Sequence, residues 1–168
     1  MTQREKIMKW LLYALVTGLF VLLQSVVLNH ISIWNVHPFL APMLVAMVAM
    51  WEGRSAGINF ALIFGFLTDL TVNAPIPCFY MIVFALIALL ISVIAHRLFP
   101  AGFLCALILS VPALLLHALL TAVLLGGVQG LALSAAVSLA GRELAVSLPW
   151  ILVFYWPYRK VYRAAARN

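Results

Sequence analysis

Acidic side chains are nearly missing from this sequence. Four Asp and Glu residues stand among 168, against ten Lys and Arg, and charged residues of both signs make up only 8%. A soluble domain carries roughly 25%, so this chain has too little charge to cover a water-facing surface. The shortage also removes the paired carboxylates that many hydrolases need. No H-E-x-x-H, G-x-S-x-G or glycine-rich phosphate loop is present. With two cysteines, Cys78 and Cys105, there is no disulfide framework. They fall near opposite faces of the expected membrane, too far apart to be joined. No histidine has a partner at metal-ligand spacing. These absences imply a protein that is not an enzyme and needs no metal or cofactor.

What is present is apolar. Hydrophobic residues make up 67% of the chain, and mean hydropathy is +1.18. The apolar runs are continuous and lack the alternation of outer-membrane strands. The expected fold is all-α: a polytopic membrane protein, with residues 1–168 forming one integral membrane domain. Six spans are expected, at about 10–28, 38–51, 57–72, 76–95, 101–125 and 138–156. The first run is too long for a signal-peptide core and reads as a retained span. The second is short, about 20 Å against a hydrocarbon thickness of roughly 30 Å. It must start before Pro38, thin the bilayer, or be sheltered by protein. Residues 130–137 fit either a tilted extension of the last span or a short helix on the outer surface.

The positive-inside rule orients these spans. With the N-terminus in the cytoplasm, the connections 29–37, 73–75 and 126–137 should lack Lys and Arg, and they do. The inner connections carry Arg54 and Arg97, Arg4, Lys6 and Lys9 precede the first span, and Arg159, Lys160, Arg163 and Arg167 follow the last. Only Arg142 departs from the pattern. Both termini are therefore expected in the cytoplasm, with the basic clusters meeting anionic lipid headgroups. Trp10, Trp51, Phe99 and Trp156 fall at inner ends and Trp34, Phe79 and Tyr80 at outer ends, the depths that amphipathic rings prefer.

Ionisable residues inside a membrane point to function. Here they are Asp69, His117, Arg142 and Glu143. Reading back from Asp69 at every fourth residue gives Gly65, Ala61 and Gly57, a small-residue row along which helices approach closely. Such a row drifts around the helix, so the useful patch is Ala61, Gly65 and Asp69. Arg142 is expected at the same depth as Asp69 and is its expected ionic partner, with Glu143 facing outward or toward another chain. His117 reads as a neutral histidine packed near the Pro112 kink, with a proton relay as the rival reading.

The third span reads Gly65-Phe66-Leu67-Thr68-Asp69-Leu70. It follows the short basic connection Glu52-Gly53-Arg54 and precedes a turn, and Pro38 or Pro42 opens the second span. With six short spans and basic ends, this pattern resembles the bacterial rod shape-determining protein MreD family. One departure is the stretch Thr71-Val72-Asn73-Ala74-Pro75-Ile76-Pro77, where that family usually has a glycine-rich turn ending in Leu-Gly. The resemblance implies a non-enzymatic inner-membrane subunit of the cell-elongation machinery. It would bind MreC and, through it, RodA, its transpeptidase and MreB, organising peptidoglycan synthesis and maintaining cell shape. It also implies a fold similar to the substrate-binding subunits of energy-coupling-factor transporters. The alternative function is thus a vitamin-transporter subunit that docks its module through Ala14 and Gly18. On the main reading the MreC helix is expected on or beside the third span, over a surface shaped by Asp69.

Overall fold

A computed structural model describes residues 3–26, 30, 36–72, 76–98, 102–130 and 133–166. Six helices follow in order: α1 (Gln3–Val26), α2 (Ala41–Thr71), α3 (Phe79–Leu98), α4 (Phe103–Gln129), α5 (Leu133–Ser147) and α6 (Ile151–Ala166). Among the described residues three helical stretches are long and apolar enough to cross a membrane, Ile7–Val26, Phe103–Leu124 and Val137–Arg163, and Phe79–Ala95 is a shorter apolar helix. The chain is an α-helical membrane protein.

The expected second and third spans are the two arms of α2, which break at Gly53. Its φ of 78° and ψ of −173° belong to a region open essentially to glycine alone. A Cβ added at Gly57 would lie 2.7 Å from the Ala49 Cα. In a straight helix residues eight apart are separated by about 12 Å. The chain therefore folds back at Gly53, and the arms 41–52 and 54–71 lie against each other.

Every residue from 41 to 51 is buried. A helix that is apolar all round belongs inside a protein, and this first arm is a central pillar. It is only about 17 Å long at 1.5 Å per residue. Protein surrounds this short arm on every side. The second arm and α3 pack along each other, and α4 and α6 also touch α2.

Helix α1 lies at the edge and packs mainly on α6. Tyr13, Thr17 and Phe20 share one face at i, i+4, i+7 spacing. The Thr17 and Tyr158 hydroxyls are hydrogen-bonded at 2.9 Å, and Phe20 meets Phe154 edge-on at 4.3 Å. Trp51, at the Gly53 end of the pillar, lies against Tyr155 and stacks on Tyr162, with centroids 5.7 and 5.9 Å apart.

The open reading of residues 130–137 now has an answer. Helix α4 runs to Gln129 and stops at Gly130, whose left-handed φ of 64° is a usual helix terminator. From Leu133 the chain is helical to Ala166, and Pro149 tightens one turn, Leu148–Trp150, without ending the rod. Residues 133–137 thus belong to the helix that runs on into the last one, while Gly130 ends α4. Trp34, Phe99, Arg167 and the connection 73–75 lie outside the described residues, as do the side chains of Arg4, Lys6 and Arg97.

Candidate functional site

The G-x-x-x-D motif is explained by what sits on it. Both Asp69 carboxylate oxygens accept backbone N–H groups from the first turn of α3, Tyr80 N–H at Oδ1 and Met81 N–H at Oδ2, each at 3.0 Å. The first N–H groups of a helix have no partner within it, and negative charge is favoured there. Asp69 is therefore a helix cap delivered from a neighbouring helix. Gly65 makes it possible: a Cβ at Gly65 would stand 2.5 Å from the Met81 Cα and 2.8 Å from the Tyr80 carbonyl oxygen. One turn earlier, Ala61 is fully buried. The row Ala61–Gly65–Asp69 thus faces the chain's own α3.

Arg142 and Glu143 go elsewhere. Arg142 is exposed and forms no ion pair with Asp69 among the described residues. Glu143 turns inward instead of outward, and its Oε1 lies 3.6 Å from His117 Nε2. Neighbouring residues on a helix point about 100° apart, so turning Glu143 inward turns Arg142 out. The His117 ring is buried between Phe39 (centroid 5.0 Å) and Tyr80 (6.0 Å). Its Nδ1 has no hydrogen-bond partner among the described residues. The histidine faces Glu143 and the aromatic rings. Among the described residues no cluster of His, Cys, Asp or Glu is arranged to hold a metal ion.

The opposite side of the second arm of α2 is open. Between it and α1 runs a groove with a volume of about 680 Å³. Ala14, Gly18 and Val21 line it from α1, and Ser55, Ala56, Asn59, Ile63 and Leu67 from α2. From residue 52 to residue 67 it extends about 22 Å. A Cβ at Gly18 would meet nothing within 4 Å, so the chain's own packing does not use that gap. Asn59 is exposed.

The groove is fastened at both ends. At the Gly53 end Lys9 pairs with Glu52, and the Tyr13 hydroxyl donates to Glu52 Oε1 at 2.9 Å. Toward the other end the Gln24 side-chain amide donates to the Pro38 carbonyl at 2.6 Å and ties α1 to the start of the pillar. Sequence reasoning treated Lys9 and Glu52 as parts of charged ends and missed this clasp. The signal available was scarcity: an acid in a chain with four is costly to leave unpaired near a membrane.

The comparisons with known proteins rest on one match. The family model described as rod shape-determining protein MreD covers residues 4–165 of the chain. The chain belongs to the MreD family. No curated protein and no solved structure gives a significant match. As an MreD-family member it is a rod-shape-determining membrane protein, part of the rod-shape complex. Nothing in the match favours a vitamin transporter.

Proposed function

We propose that the chain is a non-enzymatic scaffold subunit of the bacterial inner membrane that holds the transmembrane helix of MreC in the α1–α2 groove. Through MreC it engages RodA, its transpeptidase and MreB, and so helps to organise peptidoglycan synthesis during elongation. The groove carries this reading. It is as long as four helical turns and open to the side, and the small residues in its lining, Ala14, Gly18, Ser55 and Ala56, let a second backbone approach. The motif face of Ala61, Gly65 and Asp69 is committed to α3, so a partner uses the other side.

We further propose one membrane domain crossing six times with both termini in the cytoplasm. The two arms of α2 supply the second and third crossings. Lys9 pairs with Glu52 beside the Gly53 turn, and its ammonium lies 5.9 Å from the Tyr162 ring centroid. The start of α1, the turn and the end of α6 therefore share one face, where Arg54, Lys160 and Arg163 are exposed. A shared basic face agrees with the positive-inside rule and suits anionic lipid headgroups. A hydrophilic vitamin would find few convergent polar groups in this groove, and the transporter reading is not retained.

Gly18→Leu tests the docking reading. Its Cβ would meet nothing within 4 Å, and the rest of the side chain takes up space in the groove. The variant is expected to purify as a well-behaved monodisperse protein in mild detergent while retaining at most a tenth of the wild-type amount of co-expressed MreC. Full retention of MreC rejects the groove as its site.

A further inference from the structure

Polar side chains on helices at membrane depth are expensive unless satisfied. Several in this chain are satisfied internally. Thr17 pairs with Tyr158, and Thr68, Ser92 and Ser110 donate to carbonyls of their own helices. Asn59 is different. Its side chain is exposed, lines the groove and takes part in no hydrogen bond among the described residues. It lies six residues past the Gly53 turn, about 9 Å along the arm, away from the clasp at Glu52. Phe60 and Phe64, stacked at 5.6 Å, line the groove beside it and offer the amide no hydrogen-bonding group.

The wall opposite is equally specific. Ala14 and Gly18 are one turn apart on α1, and the space over Gly18 is empty to 4 Å. A lipid chain could fill that volume but offers no group to the amide. A helix with a purely aliphatic face would bury the amide unpaired, at a worse cost than lipid contact.

On the docking reading above, we propose that the helix received by the groove carries a hydrogen-bonding side chain, Ser, Thr, Asn or Gln, that meets the Asn59 amide. Small residues beside it close against Ala14 and Gly18. The amide supplies both donors and an acceptor, so it can pair with any of the four side chains. It fixes the rotation and the depth of the partner helix, as single polar residues do in membrane helix pairs.

The test uses the full chain and full-length MreC in lipid nanodiscs. A photo-crosslinker at Ile63, one turn from Asn59, reports whether the MreC helix occupies the groove. The apparent Kd is then measured for Asn59→Leu, Asn59→Gln and wild type. Leucine is a good helix former and the position is exposed, so the fold survives, as a thermal melt verifies. Asn59→Leu is expected to weaken binding about 3- to 20-fold with the crosslink intact, and Asn59→Gln to restore much of it. Replacing each Ser, Thr, Asn and Gln of the MreC helix by Leu in turn should find one position whose loss costs nothing further in the Asn59→Leu background. A retained crosslink with an unchanged Kd for Asn59→Leu, or no coupled position, overturns this inference and leaves the docking reading standing. A crosslink to lipid or to a second copy, with MreC bound elsewhere, overturns both.

Discussion

Replacing Asp69 by alanine separates a brace from a binding residue. The carboxylate accepts two backbone N–H groups at 3.0 Å. Hydrogen bonds to charged groups contribute about 1.5–3 kcal/mol each, while removing a helix cap costs about 0.5–2 kcal/mol. Asp69, Tyr80 and Met81 are only half-buried, so water can replace part of what is lost. A net cost of about 2 kcal/mol follows, a factor of about 30 in the local opening equilibrium of the first turn of α3. Hydrogen–deuterium exchange of peptides covering residues 79–84, on the purified chain in detergent without partners, reads this directly. Asp69→Ala should speed exchange there by about that factor and leave α1 unchanged. Asp69→Asn should show at least half the effect in free energy, because one N–H then faces an amide NH₂ instead of an acceptor. Unchanged exchange in the isolated chain, together with loss of MreC from the Asp69→Ala protein, would show that the carboxylate serves the partner and refute the capping argument.

Three further outcomes are expected. Gly65→Ala should destabilise the protein by about 1–3 kcal/mol in a denaturation assay, because its Cβ would strike the α3 backbone, whereas Gly18→Ala should leave stability within about 0.5 kcal/mol. Glu52→Ala should cost about 3 kcal/mol by stranding Lys9, with accelerated exchange in the first half of α1, and Lys9→Met with Glu52→Gln together should recover much of it. For His117 and Glu143, 3.6 Å apart, a double-mutant cycle with His117→Phe and Glu143→Leu should give a coupling of about 1 kcal/mol; strict additivity of the melts would mean that the pair does not interact.

The helical fold was readable because the apolar runs are long and the breakers few. The small-residue row ending at Asp69 was also readable as a packing face. Its partner was not, since a face of small residues looks the same to any helix that can reach it. The aspartate binds backbone amides, and backbone groups leave no mark in a sequence. Pairing Asp69 with Arg142 rested on equal depth, but depth does not fix the direction a side chain takes around its helix. One step of about 100° sends Glu143 to His117 and Arg142 outward. The groove was hidden for a related reason: Ala14 and Gly18 were visible as a pair, while the emptiness over Gly18 depends on how α1 leans on α6.

The enclosed pillar bears on how the protein is made. Residues 41–51 are buried on all sides, and part of what surrounds them, α3, α4 and α6, is synthesised later. The segment is too short to cross a bilayer on its own, and the Gly53 turn folds it against the second arm. Its final surroundings exist only once α6 has arrived. The pillar is therefore fully packed only after α6 has been made, and a variant lacking α6 would leave part of its surface uncovered.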